Sequence, residues 1–331
     1  LDSKSALPFV VYTVSMGASV GGAAFVFRWN GKVFENLPLP RHGAWGFDEY
    51  DLDQDGRSEL GIYDRYGGWN FYLFRAGKLV DETARLRPIQ EKLEEQQFLT
   101  EILPRLREGL ESVDPRDRKR SLGGIVGSTY VSSEEKWNSV QALLADAEPG
   151  VQENAIFLLG RFPERAAQVL PMLIRMILNK EEERRKRCFA LRAMGALGPA
   201  AKYAIPAILA LRTDLAFCLP PSRETKFARD RKPRRFPSDR LMALMEQDGY
   251  TLVYTALKEI GPDSIPALVD LLRRETHTRE ELPKICHALA AFGTQAKEAI
   301  PFIEAIPPSE YFDPTREYVL PILRGETPPE S

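Results

Sequence analysis

Four prolines constrain what the second half of this chain can fold into, because they recur at one place in a shared pattern. The segments are Val169-Leu170-Pro171-Met172-Leu173, Ala204-Ile205-Pro206-Ala207-Ile208, Ser264-Ile265-Pro266-Ala267-Leu268 and Ala299-Ile300-Pro301-Phe302-Ile303. Pro171 and Pro206 are 35 residues apart, as are Pro266 and Pro301. Pro206 and Pro266 are 60 apart, one period plus 25 inserted residues, and Pro104 precedes Pro171 by 67, close to two periods. A proline in the first turn of a helix gives up an N–H that has no partner there, and its fixed φ suits a helix start. Ahead of each stands a glycine, Gly160, Gly198, Gly261 or Gly293. Glycine closes a helix in the left-handed conformation without a Cβ clash. Each period therefore predicts two helices, and such a hairpin hides its apolar face only by stacking on its neighbours.

The stretch Ala190-Leu191-Arg192-Ala193-Met194-Gly195-Ala196-Leu197-Gly198-Pro199-Ala200-Ala201-Lys202-Tyr203-Ala204-Ile205-Pro206-Ala207-Ile208 resembles a HEAT-like repeat of the bacterial phycobilisome-lyase type. Leu143-Leu144-Ala145-Asp146, with Val151, Ala155 and Leu159-Gly160, is similar to the unit before it. Arg187 stands where such repeats place an arginine between units, whereas Gln152 departs from the pattern. The resemblance covers residues 134–325, four or five units interrupted by a basic insertion at 214–240. It implies an α-solenoid of HEAT-like helix pairs whose free surface holds a protein or peptide. Some HEAT-like folds resemble alkyl-base DNA-repair glycosylases, so a nucleic-acid-binding module is the alternative. The pattern is specific for fold and says little about function.

The first 80 residues have a different grammar, holding 15 of the 32 aromatic residues and 11 of the 23 glycines. Aromatic and β-branched residues suit strands, while the Leu and Ala of the later chain suit helices. Strands are predicted at Phe9–Val14, Ala24–Trp29, Lys32–Phe34, Glu59–Tyr63, Asn70–Phe74 and Lys78–Val80, with Asn30-Gly31 as a hairpin turn. Trp45, Tyr63, Tyr66, Trp69 and Tyr72 read as the core of this sheet, or else as an exposed platform for sugars, as in an envelope carbohydrate-binding protein. From Thr83 the period becomes helical, with Leu86, Ile89, Leu93, Leu99, Ile102, Leu103, Leu106 and Leu110 as the apolar stripe. Arg116 to Ser133 is basic and then glycine-rich, and reads as a connector. The expected fold is α+β and multidomain: a small antiparallel β unit at 1–81, a helix and connector at 82–133, and the α-solenoid at 134–325.

The sharpest local motif is Asp51-Leu52-Asp53-Gln54-Asp55-Gly56-Arg57-Ser58-Glu59. Carboxylates of Asp51, Asp53, Asp55 and Glu59, the Arg57 carbonyl, and a glycine for the sharp turn make an oxygen cage suited to Ca2+. Unneutralised, four such carboxylates would repel one another. An EF-hand needs an acid three residues beyond Glu59, where Ile62 stands, and flanking helices where strands are predicted. The loop resembles instead the calcium turn of FG-GAP or VCBS-type blades, and Leu60-Gly61-Ile62-Tyr63 is similar to that family's strand. The implied ion is a structural staple for a hairpin.

Residues 221–240 set eight basic residues against three acidic ones. Lys226, Arg229, Arg231, Lys232, Arg234 and Arg235 are its candidates for an anionic partner; the alternative is a solvated insertion between repeats. A net charge of −2 argues against a chain that coats nucleic acid with its whole surface. No His-Glu-x-x-His, phosphate-binding loop or nucleophile elbow occurs, so no catalytic residue is predicted. Gly123 to Ser128 lacks the lysine of a phosphate loop and reads as linker. Cys188, Cys218 and Cys286 are too few and too widely spaced for a disulfide framework or zinc site. No apolar run is long enough for a membrane span and no signal peptide is visible, although a chain opening on Leu1 suits a processed N-terminus. A calcium loop works best where Ca2+ is millimolar, which points to an exported, periplasmic or envelope protein, with the cytoplasm as the alternative.

Overall fold

The computed structural model describes residues 9–14, 23–29, 34–37, 44–54, 59–64, 69–75, 78–214, 249–274 and 277–327. The chain divides into residues 1–105 and 106–331. Among the described residues, strands occur in the first part alone, and the rest is helical.

The N-terminal part holds two antiparallel sheets. One is β1 (Phe9–Val14), β2 (Ala23–Trp29) and β3 (Phe34–Leu37) in that order, with Phe9 opposite Arg28 and Trp29 opposite Phe34. The other is β4 (Ala44–Tyr50), β5 (Glu59–Asp64), β6 (Trp69–Arg75) and β7 (Lys78–Asp81). β4 was not among the predicted strands; Gly46, Asp48 and Glu49 dilute its apolar alternation. Its partner is β5, with Tyr50 opposite Glu59.

Helix α1 (Thr83–Gln97) packs against this sheet through β6. The Phe71 amide donates to Thr83 Oγ1 at 2.8 Å, and the Glu82 amide donates to the Phe71 carbonyl at 2.8 Å. Leu52, Phe71 and Leu86 form a buried cluster against which Ile89 packs. The predicted stripe does not continue inward, since Leu93, Leu99 and Ile102 are all exposed. A π-helical turn at Phe98–Ile102 separates α1 from α2 (Leu103–Leu110). The extra residue in that turn rotates the face that α2 presents, and Leu103 is buried again.

The predicted connector is a helix, α3 (Pro115–Gly127). Asp114 caps it by accepting the Arg116 amide at 2.8 Å, Pro115 opens it, and Leu122 and Ile125 are buried. One of its glycines serves packing: a Cβ on Gly124 would lie 3.0 Å from the Leu106 side chain.

Among the described residues the remaining α-helices are α4 (Ser133–Leu143), α5 (Pro149–Leu158), α6 (Ala166–Leu178), α7 (Arg184–Ala196), α8 (Ile205–Ala210), α9 (Gly249–Ile260), α10 (Ile265–Arg273), α11 (Leu282–Ala290), α12 (Ile300–Glu304) and α13 (Asp313–Arg324). α3 packs on α5, α5 on α7, α7 on α9, α9 on α11 and α11 on α13. α6 packs on α8, and α10 on α12. One buried cluster runs through them from Leu122 to Leu323. α7 and α9 lie together although residues 197–248 separate them in sequence, so the insertion leaves their packing intact.

Pro206, Pro266 and Pro301 each sit in the first turn of their helices, as predicted. Pro171 does not, because α6 starts five residues earlier and carries it inside. Gly198 and Gly293 take φ of 58° and 55°, in the left-handed range of a glycine stop, while Gly261 takes φ of 107° with ψ of −163°, a different conformation open essentially to glycine alone. Gly160 serves a different need. A Cβ there would stand 2.7 Å from the Ala193 carbonyl and 2.7 Å from Ala196 Cβ, so only glycine lets α7 approach this closely. Gly160→Ala is expected to cost about 1–3 kcal/mol through overpacking, read as a lower urea midpoint.

Candidate functional site

The acidic loop is a hairpin turn, as its residues imply: it leaves β4 at Tyr50 and returns to β5 at Glu59. Two features anchor it to α1. Leu52 is buried in the cluster with Phe71 and Leu86, and the Asp53 carboxylate accepts from the Arg85 guanidinium, which also pairs with Glu82 at 2.8 Å. These hydrogen bonds push the Arg85 pKa further up, so it stays charged. Gln54 takes φ of 58°, the left-handed turn that bends the loop.

Asp55 and Arg57 lie outside the described residues, and Glu59 is described as backbone only. Among the described residues no group of three His, Cys, Asp or Glu is placed to hold a metal. The part of the cage in view thus consists of Asp51 and an Asp53 already neutralised by arginine, so a cation would compete with Arg85. Lys226, Arg229, Arg231, Lys232, Arg234 and Arg235 also lie outside the described residues. Of the five aromatics considered as core or platform, Tyr72 has a described side chain, and it is buried.

The insertion's near end is pinned by buried charge, of which the sequence reading marked Arg187 as an arginine between units but missed Asp214 and the Arg212–Glu281 pair. Arg187 donates Nε to the Ile177 carbonyl at 2.9 Å and pairs with Asp214 at 2.6 Å. Arg212 donates to Glu281 at 2.6 and 3.3 Å, and the Tyr254 hydroxyl donates to the same carboxylate at 2.9 Å. The Thr278 amide adds a fourth donor at 2.9 Å, and Thr278 Oγ1 accepts from the Glu281 amide at 3.2 Å. That reciprocal pair is a capping box; Thr278-x-x-Glu281 ahead of Leu282 was its signature in the sequence. Burial works to raise the Glu281 carboxyl, but Arg212, Thr278 and Tyr254 outweigh it and hold it below the usual range. Burial, and then the Glu281 charge, push the Tyr254 phenol up.

In front of this network lies a groove of about 200 Å3 between α9 and α11. Thr251, Tyr254, Thr255 and Lys258 line it from α9, and Lys284, His287 and Ala288 from α11. Thr251, Thr255 and Lys258 share one helix face, as do Lys284, His287 and Ala288. The Lys284 ammonium sits 5.8 Å from the centre of the Tyr250 ring. His287 Nδ1 lies 2.7 Å from the Pro283 carbonyl, so that nitrogen carries the proton, and its ring stacks 5.8 Å from Tyr318.

Cys188 and Cys286 are buried free thiols, as predicted. Burial raises Cys188 and pushes Cys286 up to about 12, the opposite of nucleophile activation. No described helix is long and apolar enough to cross a membrane.

No protein-family model matches the chain, and no curated protein matches it. Among solved structures it is similar to an engineered protein determined by crystallography, at 16% identity and a TM-score of 0.37, over 69% of this chain and 98% of that one.

Proposed function

We propose that residues 134–325 form a HEAT-like solenoid that acts as a binding scaffold for a protein or peptide, without catalysis of its own. The observation that carries this reading is the packing order. Each first helix of a pair lies on the first helix of the next, from α5 through α7, α9 and α11 to α13, as expected of an array in which each unit contacts mainly its neighbours. Such an array leaves one face of each helix row free of internal partners. The test is capture from a native lysate with the immobilised full chain. A partner retained in stoichiometric amount and co-eluting on gel filtration is expected; a lysate that yields no partner contradicts the reading.

The second part of the proposal is a structural Ca2+ held by Asp51, Asp53, Asp55, Glu59 and the Arg57 carbonyl. Acid spacing and the hairpin position of the loop support it. Since Arg85 occupies Asp53, removing Arg85 frees a ligand. In calorimetric titration with Ca2+, Arg85→Ala is expected to bind several-fold more tightly than wild type, and Asp53→Ala to lose the heat signal. Absence of heat in all three proteins removes the site.

A further inference from the structure

We propose that the helical array is a two-piece assembly, in which the helices before residue 215 and those after residue 248 dock on each other as partners, splinted by the buried Arg212–Glu281 pair, so that a chain cut within 215–248 stays assembled. The inference concerns how the array holds together and stands whether or not a protein docks on it. Both ends of the inserted segment are fixed by the array. It leaves at Asp214, which pairs with Arg187 of α7 at 2.6 Å. It returns at Gly249 and Tyr250, which are buried at the start of α9. Across the break, α9 packs on α7, on α8 and on the turn at Gly198–Ala204, all of which precede the insertion. The approach is close: a Cβ on Gly195 of α7 would stand 3.3 Å from Ala256 Cα. One buried cluster includes both sides, with Leu191 and Met194 on α7 and Val253, Ala256 and Leu257 on α9. An interface of that kind resembles a domain core cut in two, the mark of partners that stay together.

On this apolar contact a charged pair fixes the register. Arg212 lies before the insertion and Glu281 beyond it, with side chains 10% and 2% exposed. Glu281 also accepts from the Tyr254 hydroxyl and the Thr278 amide, both on its own side of the break. Those two donors orient the carboxylate, and the guanidinium meets it with two hydrogen bonds, at 2.6 and 3.3 Å. Other arginine pairs join helices on one side of the break alone. Arg185 binds Glu153, tying α7 to α5, and Arg118 binds Asp146, tying α3 to the loop after α4. Removing one partner of a buried pair strands the other. While the chain is intact, a covalent tether keeps docked pieces at an effective concentration on the order of millimolar. A weakened splint then leaves them together, whereas in a cut chain the same loss appears as dissociation.

The experiment places a protease recognition sequence, flanked by Gly/Ser spacers, between Pro220 and Pro221 of the full chain. Cut and uncut protein are compared by sedimentation over a dilution series and by helical circular dichroism. The cut wild-type chain is expected to sediment as one species of the uncut size with unchanged helicity. Arg212→Met should keep its helicity while uncut, and once cut its pieces should dissociate at least about tenfold more readily than wild type. Arg212→Lys, which keeps the charge without the two-pronged geometry, should fall between them, and it carries the comparison if the uncut Arg212→Met chain loses helicity. Arg185→Ala, which breaks a pair on one side only, should leave the cut pieces joined as in wild type. Separation or unfolding of the cut wild-type chain, cut Arg212 variants that hold together as tightly as wild type, or equal loosening by Arg185→Ala would each overturn the proposal.

Discussion

Glu281→Ala is expected to lower the stability of the helical part by about 3–5 kcal/mol, the cost of stranding a buried charge whose partner has been removed. Glu281 is 2% exposed, and its removal takes one shared acceptor from the Arg212 guanidinium, the Tyr254 hydroxyl and the Thr278 amide. It also opens the capping box at the start of α11. Urea denaturation at neutral pH checks the magnitude. The pH dependence has a definite sign. The folded carboxyl gives up its proton more readily than an unfolded glutamate, whose pKa is about 4.3. Its contribution is therefore complete above that value and fades as pH falls through the lower folded one. The gap between wild type and Glu281→Gln should narrow in acid.

Leu191→Ala is expected to cost about 2–5 kcal/mol. Leu191 is fully buried in α7, the helix that packs on both α5 and α9. Deleting its branched end leaves a void that close-packed neighbours fill only in part. Leu191→Met keeps the volume and should cost less than about 1.5 kcal/mol. A midpoint drop as large for methionine as for alanine would mean that the position is not limited by packing.

Where the helices lie was legible wherever one residue type has one physical use. Pro206, Pro266 and Pro301 open helices, and Gly198, Gly261 and Gly293 take the positive φ that glycine allows ahead of them, because few other residues do either job well. Pro171 and Gly160 look identical in sequence yet behave differently, since a longer helix absorbed the first and a close helix approach claimed the second. Glycines 123, 124 and 127 suggested a linker, but Asp114, Pro115, Leu122 and Ile125 decide for a helix. β4 escaped notice because charge and glycine hide its alternation. For the acidic loop, spacing gave the turn between two strands. It could not give Arg85, 32 residues away from Asp53, because that pair depends on where α1 lies against the sheet. The groove was illegible for the same reason: Lys258 and Lys284 line one groove only because α9 packs on α11.

Hydrogen exchange read by mass spectrometry, comparing wild type with Glu281→Ala under native conditions, tests the stacked-pair account most directly. In an array coupled through neighbours, protection should fall in α9 to α13 and persist in α4 to α6. Equal loss of protection across every helix from α4 to α13 would mean a single cooperative globule, and would contradict the account.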